Sequence, residues 1–263
     1  MIFAPKPYIW ELIFPERRNV KRFLLLLVLG FVLLALPKLY RSDDQSLRRT
    51  DFDIEGIDVS RYQADIDWEK VASADIDFAF VKATEGLSHI DPNFALNWLD
   101  LQEAGMRRGA YHFFRPEISG KDQAFHFINT VELIGGDLPP VLDIEVIGQL
   151  SSEELVAQVQ DWLELAELHY EVKPILYSGQ KFYNRHLAGR FDDYPLWLAR
   201  YAEKAPVAAC GRAFQFWQYA DNGQLSGIEG DVDLNIFAGS ALDLLNLCIP
   251  HQPIYEEPAQ LVK

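Results

Sequence analysis

The sequence is poor in the residues that build metal centres and disulfide frameworks. Its 263 residues include two cysteines, Cys210 and Cys248, far apart and with no CxxC spacing, and six histidines with no HxH or HExxH among them. These absences remove the common zinc signatures and a disulfide-stapled scaffold, leaving one long-range bridge or two buried thiols as the options for the cysteines. Positive charge is scarce as well: 24 Lys and Arg stand against 39 Asp and Glu, for a formal net charge of -15. Seven of the basic residues fall before residue 42, where Glu11 and Glu16 are the only acids, so the remainder holds 17 basic and 37 acidic residues, a net of -20. So acidic a body repels phosphate backbones and anionic lipid, which excludes a nucleic-acid partner and confines membrane contact to the N-terminus. It is also mildly adverse to any anionic polymer as substrate.

An unbroken apolar run of full membrane-spanning length is missing too. The longest, Phe23–Leu36, is shorter than the roughly 18 to 20 residues of a standard span, though Leu39 and Tyr40 extend it. It comes after Arg17, Arg18, Lys21 and Arg22, the charge order that retains an N-terminus in the cytoplasm and exports the downstream chain. Pro37 and Lys38 come next instead of a small-x-small cleavage site, so residues 23–40 read as an uncleaved transmembrane signal-anchor after a basic cytoplasmic segment, 1–22. The alternative is secretion after signal cleavage. Residues 41–53 are polar and read as a linker.

What the chain does have begins at Ile54. Short runs rich in β-branched and aromatic residues alternate with segments of helical period, the pattern of repeated βα units. Eight runs qualify as strands: 54–60, 77–84, 107–113, 139–145, 173–178, 195–200, 213–220 and 230–237. Helices are expected over the segments ending at Gly105 and at Gly135 and Gly136, and over the segment opening at Ser151 or Ser152. After Ser178 the helices shrink, and nothing convincing separates the last two strands. The expected fold is α/β: an irregular TIM-like (β/α) barrel over 54–240, regular in its first half and reduced in its second, with a tail over 241–263.

Polar residues gather at the strand ends: Asp58, Lys82, Glu85, Tyr111, His112, Asp143, Glu145, Tyr177, Trp197, Gln218 and Asp233. In a barrel those ends form the face where active sites are built. Asp143 and Glu145 in LDIE are the sharpest element. Residues two apart on a strand share a side, so both carboxylates face one cavity, where repulsion and burial lift at least one pKa. A protonated acid beside a charged partner is what glycosidic cleavage requires. Taken alone, D-x-E is equally an acidic strand end capping a helix or pairing with an arginine. The convergence of Asp58, Glu85 and Asp233 on the same face weighs against that. Tyr62, Tyr111, Tyr177, Trp197, Trp217 and Tyr219 offer rings for sugar faces, although alternation in AFQFWQYA turns Trp217 and Tyr219 away from Gln218.

The blocks GIDVSRYQADIDW, FAFVKATEG, DPNF, GAYHFF, LDIE, ILYS, WLARY and FWQYADNGQLSGIEGDVDLNIF, in that order, closely resemble family 25 of the glycoside hydrolases, the Chalaropsis-type lysozymes. The resemblance runs from about Gly56 to Phe237. It implies an N-acetylmuramidase that hydrolyses the β-1,4 bond between N-acetylmuramic acid and N-acetylglucosamine, without metal or cofactor, with peptidoglycan glycan strands as partner. It maps the proton donor onto Glu145, and onto Asp143 an acid that steers the substrate's 2-acetamido group or serves the attacking water. It places Asp58, Glu85 and Asp233 in the substrate cleft, and strand-end position adds Tyr111, Tyr177, Trp197 and Gln218 as substrate-binding residues. The chain has no wall-binding repeat after Phe237, which with the anchor implies work on the cell's own wall from the outer side of the plasma or inner membrane. Three other readings stand beside it: a wall-binding protein without activity on the same barrel, a hydrolase of another N-acetylated glycan, and an anchored scaffold protein of a division or secretion complex.

Overall fold

A computed structural model describes residues 48–251 apart from residue 50. The expected anchor, 23–40, lies outside the described residues, as does most of the linker. None of the described helices is long and apolar enough to cross a membrane.

The chain order is β1 (Ile54–Val59), α1 (Trp68–Ala72), β2 (Phe78–Glu85), β3 (His89–Ile90), α2 (Phe94–Glu103), β4 (Arg107–Phe113), α3 (Gly120–Ile128) and β5 (Val141–Asp143). Then come α4 (Ser152–Tyr170), β6 (Ile175–Gly179), α5 (Gln180–His186), β7 (Leu196–Ala199), β8 (Phe216–Gly223), β9 (Val232–Phe237) and α6 (Ala241–Leu247). The sheet order is β1-β9-β8-β7-β6-β5-β4-β2-β3, and an added β1–β2 pairing closes eight strands into a barrel, with β3 a two-residue flap on β2. Pairings are parallel from β1 through β2, β4, β5, β6 and β7 to β8, whereas β9 runs antiparallel to both β8 and β1. This is the regular half and the hairpin-like ending that the sequence pattern leads one to expect.

The expected helix reaching Gly136 stops at Ile128. Thr130 Oγ1 donates to His126 O (2.8 Å), and its own N–H and that of Val131 fold back on Phe127 O, both at 2.9 Å, which closes the helix. The chain then turns on Asp137, whose buried carboxylate accepts from Arg108 Nε (2.9 Å) and from the Ile134 N–H (2.9 Å). The segment after Leu150 behaves as its sequence suggests. Ser151 Oγ accepts from the Glu154 N–H, and the Glu154 carboxylate accepts from Ser151 N (2.8 Å), a reciprocal cap that starts the 19-residue α4.

Alternation along each strand sorts the core into two parts. Ile54, Phe78, Phe80, Val141, Ile175, Phe216 and Phe237 fill the barrel interior, while Ile57, Val81, Ala110, Leu142, Leu176, Leu198 and Ile236 face the helices. The interior is full of rings, with Phe80 stacked on Trp197 at 4.6 Å and Phe216 against Phe237 at 4.9 Å. Two inward glycines make room for them. A Cβ on Gly56 would lie 2.3 Å from the Phe78 ring, and one on Gly109 2.4 Å from Phe80. Burying each of these rings contributes roughly 1.5 to 3 kcal/mol, and the filled interior leaves only the upper mouth for chemistry. The lower end is closed by the first part of the expected tail: Leu244 in α6 and Cys248 after it pack into the interior cluster. Cys210 is exposed, Cys248 is buried, and both are free thiols.

The end of the linker is docked against the barrel. Arg48 Nη1 donates to Ala74 O (2.9 Å), and its Nε pairs with Glu55 (2.5 Å). Arg49 lies over the Trp217 ring (4.4 Å) and donates to Ala202 O (2.6 Å).

Candidate active site

The parallel strands bring their C-terminal ends to one mouth. The reversal of β9 brings its beginning there, so Asp233 arrives from the start of a strand, not from the end where the sequence pattern puts it. In the antiparallel β1–β9 register Asp233 stands directly opposite Asp58. A cavity of about 240 Å³ opens at this mouth, and Asp58, Tyr111, Asp143, Glu145, Tyr177, Trp197, Gln218 and Asp233 all line it. Lys82, Tyr62 and Tyr201 also stand in its wall. Sequence reasoning misses Tyr201, although it closes the WLARY block; its position just beyond β7 is the available signal.

Gln218 organises one side. Its Oε1 accepts from Tyr177 OH (2.7 Å) and Tyr201 OH (2.9 Å), and its Nε2 donates to Asp58 (2.8 Å) and Asp233 (3.3 Å). Asn235, also missed by sequence reasoning, accepts from Trp197 Nε1 (2.9 Å) on its Oδ1 and donates to Asp58 through its Nδ2 (2.8 Å). These bonds fix the cross-strand acids and assign their protons. Burial and then the facing Asp58 charge push Asp233 up to about 9, so it is protonated at neutral pH. Burial also raises Asp58, but the Asn235 and Gln218 amides draw it back down.

The other side carries the pair expected on one strand, but β5 ends at Asp143 and Glu145 lies two residues beyond it. Burial pushes Asp143 well above the usual carboxylate range, and the charges of Glu145 and Asp58 add to the effect. Glu145, which is more exposed and lies just beyond the last residue of β5, is raised by burial and then by the Asp58 charge. Asp143 is 6% exposed, and its Oδ1 has no hydrogen-bond partner. A buried acceptor left unsatisfied costs about 1 to 3 kcal/mol. It is the only cavity-lining atom among the four unpartnered buried side-chain atoms of the described residues.

Glu85 departs from its expected place. It ends β2 as expected but does not line the cavity, because cations hold it to one side: Lys82 Nζ lies 2.6 Å from its Oε2, and Arg115 grips its Oε1. Burial alone would raise it, yet these two partners bring it down to about 2, a permanent anion. Its place at the cavity is taken by Lys82, which it aims. His112 also turns away from the mouth. It bonds Thr84 Oγ1 (2.7 Å) and Gln123 Oε1 (3.0 Å) behind the sheet, and burial lowers it to about 3, so it is neutral. Trp217 and Tyr219 pack in the outer cluster, as the alternation requires.

Residues 57–228 match the family model for glycosyl hydrolases family 25. Among curated relatives, YegX of Escherichia coli K12 is 46% identical over 198 residues, covering 73% of this chain and 72% of its own. Lysozyme M1 of Streptomyces globisporus is 36% identical over 208 residues, 74% of this chain and 71% of its own. The solved structure of a family 25 glycosyl hydrolase from Bacillus anthracis superposes with a TM-score of 0.72 at 34% identity, covering 76% of this chain and 95% of that one. With a closed barrel, an acid pair at its mouth and these matches, the chain belongs to glycosyl hydrolases family 25.

Proposed function

We propose that the protein is a lysozyme: an N-acetylmuramidase that hydrolyses the β-1,4 bond between N-acetylmuramic acid and N-acetylglucosamine in peptidoglycan. Glu145 is the general acid, and Asp143 orients the substrate. The observation that carries this reading is the buried Asp143 Oδ1 with no partner, beside a glutamate whose pKa is raised. An acetamido N–H of an N-acetylated sugar supplies the missing donor, which places the scissile oxygen within reach of the Glu145 proton. Donation of that proton breaks the bond to the leaving sugar. The acetamido oxygen, steered by Asp143, closes on the anomeric carbon, and water then opens the ring with Glu145 taking back a proton. Tyr111 supplies ring surface at the cavity wall, and burial keeps the Tyr177 and Tyr111 hydroxyls neutral.

The reading extends to location. The charge order before Phe23–Leu36 favours a catalytic domain tethered outside the membrane and facing the wall. Fractionation tests this: a full-length, membrane-bound protein agrees, and a shortened form free in the medium contradicts.

Digestion of purified peptidoglycan, with borohydride reduction and mass spectrometry of the products, tests the reaction. Muramitol ends made by the wild type and not by Glu145→Gln are expected. Glucosaminitol ends overturn the bond assignment, and intact wall overturns the activity.

A further inference from the structure

A second cavity, of about 630 Å³, opens beside the first and shares Glu145, Tyr177 and Tyr201 with it. A glycan lying over Glu145 therefore reaches both. Its volume is within the range of small-ligand sites and exceeds that of the catalytic cavity. Its remaining wall comes from the end of β6, the first turn of α5, and the end of β7 with the segment after it, and it contains two cations, Lys181 and Arg200.

The charge of these two cations is not cancelled locally. In a body of net charge -20, many of the described cations are paired with a carboxylate, Lys82 and Arg115 at the neighbouring mouth among them. Lys181 and Arg200 make no such pair with any described residue. Arg200 is nevertheless held in place: its Nη1 donates to Gln180 Oε1 (3.3 Å) and Ala205 O (3.2 Å), and its backbone oxygen accepts from Trp217 Nε1 (2.8 Å). Neutral acceptors fix the guanidinium without cancelling its charge, and Phe182 and Tyr201 add apolar surface beside it.

We infer that this lobe is a carboxylate-binding subsite, in which Lys181 and Arg200 receive the anionic peptide that wall glycan carries on the lactyl ether of muramic acid. The inference rests on the muramidase reading. It explains how so acidic a protein engages an anionic polymer: a local positive spot beside the acid pair offsets the long-range repulsion at the point of contact.

The test compares native wall with the same wall whose carboxyl groups have been converted to amides with carbodiimide and ammonia. The wild type should lose about tenfold in kcat/KM on the amidated wall. The Lys181→Gln/Arg200→Gln double variant should lose a similar factor on native wall and no longer distinguish the two. Arg200→Lys, which keeps the charge and gives up the clamp geometry, should retain most of the preference. Repulsion by the whole acidic body predicts the opposite sign, a gain on amidated wall, and that gain or equal rates on both walls overturns the subsite. A double variant that still prefers native wall overturns it too. So does an Arg200→Lys as poor as the double variant, since it would make Arg200 a clamp for its loop. Failure of the wild type on both walls overturns the muramidase reading itself, and the two failures are thereby distinct.

Discussion

The mouth of the barrel carries two pairs of acids that differ in what surrounds them. Asp58 and Asp233 face each other across antiparallel strands, where Gln218 and Asn235 donate amides to them and one proton is settled on Asp233. Asp143 ends one strand and Glu145 lies two residues beyond it, with Oδ1 of Asp143 left without a partner. The first pair has its acceptors occupied by amides, whereas the second leaves an acceptor open. Burial raises all four carboxyls, so burial alone does not set one pair apart; unsatisfied hydrogen-bonding capacity does.

The sharpest way to break this contrast is to remove the acid from the unsatisfied pair. Glu145→Gln should lower kcat on wall by about a thousandfold or more with the melting temperature little changed, since the partner of its carboxyl is the neighbouring Asp143 at the same mouth. Asp143→Asn should come next, at roughly a hundredfold, because an amide can accept on one side only. A smaller effect on rate, about tenfold, is expected for Asp233→Asn, with a signature in stability. The unfolded chain gives up the Asp233 proton near pH 4 and the folded chain near 9, so between these values the folded state binds more protons and stability falls as pH rises. Melting curves across that window should therefore slope less steeply for Asp233→Asn than for the wild type. Lys82 sharpens the comparison from the other side, because its charge lowers both Asp143 and Glu145. Lys82→Met should move the alkaline limb of the kcat/KM profile upward, whereas Asp58→Asn, which removes a charge that raises Glu145, should move it downward. The smallest effect belongs to Arg49→Ala: it frees Ala202 in the wall of the second cavity and should change kcat/KM by no more than a few-fold.

Much of the fold and of the site is legible in the sequence. The eight strands announce themselves as short β-branched and aromatic runs, and the period of two in AFQFWQYA places Gln218 inside and Trp217 outside. The reduced second half is visible in the lack of helical period after Ser178. Glu85 is misjudged because strand-end position does not reveal a counter-ion: Arg115 lies thirty residues away in sequence and meets Glu85 only in the folded chain. Asp233 is assigned to the right mouth by the wrong route, since direction along a strand is not written in its composition. The helix ending at Ile128 is overrun because residues 129–136 keep a helical period while Thr130 and Asp137 redirect the backbone through tertiary contacts.

The most direct test of the account compares Glu145→Gln with the wild type on two substrates: peptidoglycan, whose leaving sugar needs a proton, and a nitrophenyl glycoside of the same muramic acid unit, whose leaving group does not. If Glu145 is the proton donor, the variant loses its activity on wall and still releases nitrophenol in the first turnover of the nitrophenyl glycoside at a rate close to wild type. An equal loss on both substrates would contradict that role and leave Asp143 and Glu145 as residues that bind the glycan without protonating it.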